Sequence, residues 1–136
     1  MENFDAGVIA RTWLADMESC VRAVDYARAR TIFAPDVVGF GSRGAMLIGL
    51  DALERDQWRQ VWGVIRNFTF HVEDLHCGSD GAVVVWLACR WTSEAEGSSG
   101  NSTDRPGRMT AVLTRIDDRW VAIHTHHSLA PPSSII

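Results

Sequence analysis

The last stretch of the chain is written in period two, and that constrains the fold more than any other feature. Gly107 to Ile116 and Arg119 to Ser128 are two runs rich in β-branched and aromatic residues, separated only by Asp117-Asp118. A two-residue acidic spacer between such runs predicts a tight hairpin, so the chain must build an antiparallel sheet. The pattern extends upstream. Ile65 to Cys77 reads as one strand with Phe68, Phe70, Val72 and Leu75 as its apolar members, and Gly78-Ser-Asp-Gly is a hairpin turn. Ala82 to Trp91 follows as a strand apolar on both faces, and Ser93 to Pro106 reads as a long polar hairpin loop.

Before Ile65 the period is helical. Ile9, Trp13, Met17, Cys20 and Val24 recur at spacings of three and four, giving one apolar stripe over about Phe4 to Val24. Asp25 can cap a second helix, Tyr26 to Phe33, that must stop before Pro35. Asp36 to Ser42 and Met46 to Gly49 read as two short strands, and Asp51 opens a third helix through about Trp62. The expected class is α+β: three helices packed on a strongly curved, mostly antiparallel sheet, forming a cone whose open end is the natural place for a pocket.

The 136 residues suit one domain, expected over 1–130, with 131–136 as a flexible tail. Six Trp against one Tyr supply large rings for a thick core or an apolar cavity. A formal charge of −4 and no Lys/Arg run argue against nucleic acid as a partner. No apolar run is long enough to span a membrane, and the acidic first residues lack the layout of a signal peptide. Three widely spaced cysteines, Cys20, Cys77 and Cys89, fit reduced thiols in a cytoplasmic protein better than a disulfide framework.

The run Arg-x-Asp-x-x-Trp-x-x-x-His-x-His-x-Ser, Arg115 to Ser128, resembles the closing strands of SnoaL-like proteins, members of the nuclear transport factor 2-like superfamily of cone-shaped domains. It also resembles the association domain of calcium/calmodulin-dependent kinase II, as does Gly49-Leu-Asp, while Phe33-Ala-Pro-Asp-Val-Val matches the strand entry of relatives. The superfamily hosts isomerases, cyclases, dehydratases, hydrolases and non-catalytic hubs, so the resemblance implies the fold and leaves the activity open. Against the ketosteroid isomerases, the positions of the base, the Tyr and the second acid fall at Gly41, near Met17 and at Met109. None of these residues can move a proton, which speaks against steroid isomerisation by that mechanism.

On the last strand, strict alternation separates Trp120, Ala122, His124, His126 and Ser128 from Val121, Ile123, Thr125 and His127. The resemblance turns the second set inward and makes His127 the candidate catalytic residue, an imidazole able to act as a base or to hydrogen-bond a ligand. It also turns Met109, Ala111 and Leu113 inward and places Met17 at the cavity. Trp86 and Arg90 share a face and are expected in the pocket, Arg90 favouring a carboxylate-bearing ligand. A slip of one residue would bring Cys89 and Trp91 inward instead. Trp120, His124 and His126 are expected on the convex face, where relatives form dimers. His124 and His126 could serve as metal ligands with His71, His76 or Glu73, but the spacing does not require it, and neither a metal nor a cofactor is assigned.

Two functions follow as expectations. One is a small-molecule pocket protein, of isomerase, cyclase or dehydratase type if it is an enzyme, taking a mostly apolar cyclic or carboxylate-bearing molecule. The other is a non-catalytic association module that assembles as a homodimer.

Overall fold

The structure is a computed structural model, and it describes residues 4–97 and 100–131. Most of the expected tail, 132–136, lies outside the described residues.

Helix α1, Ala6–Ala23, starts where the Asp5 carboxylate accepts the Val8 N–H at 3.2 Å. Its buried residues are Ala10, Trp13, Leu14, Met17, Cys20 and Val21. They include Trp13, Met17 and Cys20 of the predicted stripe, while Ile9 is half-buried and Val24 lies exposed at the helix end. The helix ends at Val24, which takes a left-handed φ of 53°. Asp25 then caps the short α2, Tyr26–Ala29. A third helical stretch covers 50–64. It consists of α3 (Leu50–Leu53), a π-helical turn (Glu54–Trp58), α4 (Arg59–Val61) and a final 3-10 turn, Trp62–Val64. Among the described residues, no helix is long and apolar enough to cross a membrane.

The strands are β1 (Phe33–Phe40), β2 (Leu47–Ile48), β3 (Ile65–Phe70), β4 (His76–Ser79), β5 (Val84–Glu96), β6 (Ser102–Ile116) and β7 (Arg119–Leu129). They form one sheet in the order β2-β1-β7-β6-β5-β3, with β4 pairing β5 beyond β3. Every pairing is antiparallel except β1 with β7. The helices cover one face, and the core lies between them and that face, built from α1, the third helical stretch and the inward residues of β1, β5, β6 and β7. The α+β cone with three helical stretches on a curved, mostly antiparallel sheet is therefore the observed architecture.

The Asp117-Asp118 hairpin forms as expected, both residues at positive φ (50° and 62°), the combination that matches strand twist in a two-residue turn. At the preceding hairpin, the Asp80 carboxylate accepts the N–H groups of Ala82, Val83 and Val84.

Two expectations are corrected. Ile65 to Cys77 is not one strand: a 3-10 turn at Val72–Asp74 divides it, and both halves pair with different stretches of the long β5. One flat strand could not follow a 13-residue neighbour that bends around a cone. Ser93 to Pro106 is also mostly strand, paired from Thr92↔Pro106 out to Glu96↔Ser102. The ladder is made by backbone groups, so polar side chains there do not stop it. Arg66 with Glu96 and Asn67 with Glu94 then tie β3 to this extension.

Candidate functional site

On the inner face, β5 presents Val85, Leu87, Cys89, Trp91 and Ser93, all buried. β6 presents Leu113, Ala111, Met109 and Gly107, and the same alternation continues to Arg105. Trp86 and Arg90 therefore point the other way, which corrects the expected pocket set: Trp86 is 47% exposed and Arg90 pairs with Asp74 on the outer surface. The one-residue slip is the arrangement found, and it follows from register, since Cys89 pairs with Met109 and Trp91 with Gly107.

The last strand is not a simple alternation. The β6–β7 register shifts between Val112↔His124 and Leu113↔Ala122, leaving Ile123 as an extra residue. Ahead of the bulge Ala122 and Trp120 join the core; after it Thr125 does, and His127, half-buried, reaches the cavity wall. Two expectations are corrected here. Trp120 packs on the core, edge-on to Phe4 at 5.0 Å, instead of lying on the convex face. Ile123 sits at the bulge instead of in the pocket. His124 and His126 do lie on the outer face, both against Phe40, and His124 donates its Nδ1–H to the Val38 carbonyl at 2.8 Å.

The interior cavity lies at the end of the cone and measures about 30 Å³, room for a water or so. Its wall is Met17, Val21, Trp58, Val61, Trp62, Ile65, Phe68 and Trp91, with Ser42, Gln57, Arg105 and His127 as polar members. His127 and Met17 stand where expected. Met109, Ala111 and Thr125 point inward too, but they are packed into the core and do not border the cavity.

The polar groups of this wall differ in how well they are satisfied. Gln57 is buried and bridges to the β1–β2 turn, its Oε1 accepting the Arg43 N–H at 3.1 Å and its Nε2 donating to Ser42 Oγ at 3.0 Å. The bridge fits because residue 41 is glycine; a Cβ there would overlap the Gln57 amide. Arg105 donates one hydrogen bond, to Ser93 Oγ at 3.0 Å, and lies 5.7 Å from the centre of the Trp91 ring. No carboxylate pairs with it among the described residues, and burial pulls its pKa below the usual arginine range. The Trp91 indole N–H is buried and has no acceptor among the described residues, although the Trp13 indole finds the Ile32 carbonyl at 2.9 Å. His127 lies 6.1 Å from the Trp91 ring. Burial, with a smaller contribution from His126, pushes its pKa down to about 4, so the ring is neutral at pH 7.

Arg105, Gln57 and Ser42 were not legible as site residues. Arg105 fell in a stretch read as loop; extending the inward series Leu113, Ala111, Met109, Gly107 by one step would have found it.

A larger depression, about 640 Å³, lies on the outer sheet face between Asp74, His76, Ala88, Arg90, Arg108, Thr110, His126 and Ser128. Its charged groups are satisfied there, Arg90 by Asp74 and Arg108 by Ser128 Oγ at 3.0 Å. His71 is held by Thr92 and Glu73. No cluster of three or more His, Cys, Asp or Glu side chains is arranged to hold a metal among the described residues. The Cys89 thiol is pushed up to about 11, chiefly by burial, which makes it an inert core residue.

A family profile described as the SnoaL-like domain matches residues 11–132. No curated protein matches the chain in sequence. Among solved structures, a nuclear transport factor 2-like superfamily protein from Salmonella enterica superposes with a TM-score of 0.79 at 15% identity, covering 96% of this chain and 94% of that one. A protein with a cystatin-like fold from Caulobacter vibrioides gives 0.73 at 12% identity, over 95% and 92% of the two chains. A ketosteroid isomerase-like protein from Erwinia carotovora gives 0.72 at 14% identity, over 94% and 98%. At these identities the likeness is one of fold.

Proposed function

The chain belongs to the SnoaL-like domain family, and from that membership we propose that it is a small-molecule pocket protein whose ligand enters the cone end beside His127. The carrying observation is an interior histidine with no hydrogen-bond partner among the described residues, set in a wall of Trp58, Trp62, Trp91 and Phe68. An apolar ring-bearing molecule suits that wall, and the imidazole supplies the group that orients it.

The pKa of about 4 decides what His127 can do. A neutral imidazole of that basicity is a poor base toward carbon at pH 7 but a good donor to a carbonyl oxygen. For isomerase-, cyclase- or dehydratase-type chemistry, its role is to polarise the substrate carbonyl. The missing base at Gly41, Tyr near Met17 and second acid at Met109 keep this reading apart from steroid isomerisation.

Three tryptophans in the wall make binding visible. Titration with cyclic ketones, polyketide-like acids and fatty acids is expected to quench tryptophan fluorescence saturably for at least one class. His127→Ala is expected to lose that binding while sedimenting like the parent. Flat fluorescence across the panel sinks the proposal.

The outer depression, with Trp86 47% exposed beside it, supports a second reading: the outer sheet face joins two copies as a homodimer. The two readings use opposite faces of one sheet and are compatible. Sedimentation showing a monomer at micromolar concentration removes the second.

A further inference from the structure

Three wall groups have hydrogen-bonding capacity that no described residue uses. The Arg105 guanidinium carries five N–H donors, of which Ser93 takes one. The Trp91 indole N–H is fully buried without an acceptor, a rare state that needs a reason. The His127 ring has no partner among the described residues. Arg105 and His127 both lie near the Trp91 ring, at 5.7 Å and 6.1 Å, so the three form one cluster. No Asp or Glu borders the cavity. The cluster is thus rich in donors, carries one positive charge and lacks any anion.

Resting on the pocket reading above, we infer that this cluster is a carboxylate subsite, and that the ligand is a ring-bearing carboxylic acid whose head is received by Arg105, the Trp91 indole N–H and His127. A planar carboxylate matches the guanidinium fork and leaves a second oxygen edge for the indole and the imidazole. A phosphate would bring more charge than one Arg balances. The cavity of about 30 Å³ holds a water or so, so the carboxylate takes that water's place among the three donors and the ring packs on the aromatic wall as the cavity opens. The cation the ligand meets is Arg105 and not Arg90, which Asp74 already neutralises.

The test pairs acids with their neutral amides: phenylacetate, 1-naphthoate and cyclohexanecarboxylate, each against its carboxamide, by calorimetry at pH 7. At least one acid is expected to bind ten-fold or more tighter than its amide. Arg105→Gln is expected to erase that gap, weakening the acid ten-fold or more beyond any change in its amide. On the unaltered protein, that acid and not its amide is expected to move an indole N–H resonance, an outcome that does not depend on a variant folding; Trp91→Phe then assigns the resonance. Equal binding of acid and amide overturns the carboxylate subsite and leaves the pocket reading standing. No binding by any probe overturns both.

Discussion

The indole of Trp91 lies across Gly107, its partner in the β5–β6 ladder, so closely that a Cβ at residue 107 would overlap the ring. Gly107 is therefore what lets a tryptophan lie flat on the inner face. Gly107→Ala is expected to cost about 1–3 kcal/mol, the usual cost of overpacking a core. Trp91→Ala alone leaves a void and costs about 3–5 kcal/mol. In the double variant the two costs are expected to fall short of their sum, because the clash is gone. Urea unfolding of the four proteins measures it, and strict additivity would show that the ring does not rest there. The outer face repeats the motif with Trp86 over Gly78, at 2.7 Å to a Cβ, but that ring is half exposed and can swing away. Gly78→Ala is expected to cost much less than Gly107→Ala.

His127 makes stability depend on pH in a defined window. Its folded pKa, about 4, lies below the ordinary histidine value of 6.5, so below 6.5 the unfolded chain binds a proton that the folded chain does not. Stability is complete above pH 6.5 and falls as pH drops through the window to 4. At about 1.4 kcal/mol per pH unit, the loss approaches 3 kcal/mol by pH 4. Other groups contribute to the pH dependence as well, so the measured quantity is the difference between the parent and His127→Gln. The gap between their unfolding free energies is expected to narrow steadily from pH 7 to pH 4. A constant gap would mean that the ring charges freely in the folded state.

The bulge at Ile123 reverses the face assignment of the residues before it, and Trp120 is the test. A surface tryptophan would be replaceable at under about 0.5 kcal/mol. Packed on the core against Phe4, Trp120→Ala is expected to cost about 2–4 kcal/mol and to leave the oligomeric state unchanged. Chemical unfolding and sedimentation of the same preparation check both halves.

This bulge also shows where sequence reading stops. The hairpin at Asp117-Asp118 and most of the α1 stripe were legible because they rest on a turn preference and a local period. The inward Met109, Ala111, Thr125 and His127 were legible only through the family resemblance, since alternation separates two faces without saying which is inside. Trp120 and Ile123 were not, since a single unpaired residue resets a two-residue period without changing composition. Trp86 and Arg90 failed for a related reason. β5 is apolar on both faces, so its phase is set by pairing to β6 and cannot be read from its own residues. Arg105 was hidden by the polar character of a stretch that pairs through its backbone.

The proposed homodimer face is centred on Thr110, which pairs with Ala88 on one side and His126 on the other. Thr110 is exposed on the outer face, so a larger side chain there projects away from the core. Thr110→Arg would place a long cation in the middle of a joined face that already holds Arg108. Sedimentation is expected to find the parent dimeric and the variant monomeric at the same concentration, with far-UV circular dichroism unchanged. A variant that stays dimeric would move the interface to another surface.

Gln57 borders the interior cavity, and two substitutions that share no chemistry should loosen that part of its wall. Gln57→Ala removes the side chain that holds Ser42 Oγ and the Arg43 N–H. Gly41→Ala leaves that side chain in place but puts a methyl where its amide lies, forcing the amide out. Each loses two hydrogen bonds, a cost of about 1–2 kcal/mol in unfolding experiments. Each also frees that part of the wall from the β1–β2 turn, so the fraction of molecules ready to admit a ligand is expected to rise. Stopped-flow tryptophan quenching is expected to show association several-fold faster than the parent in both variants. If neither variant associates faster, ligand enters by another route and the Gln57 bridge is part of the scaffold. If only Gln57→Ala does, the gain comes from the volume removed and not from breaking the bridge.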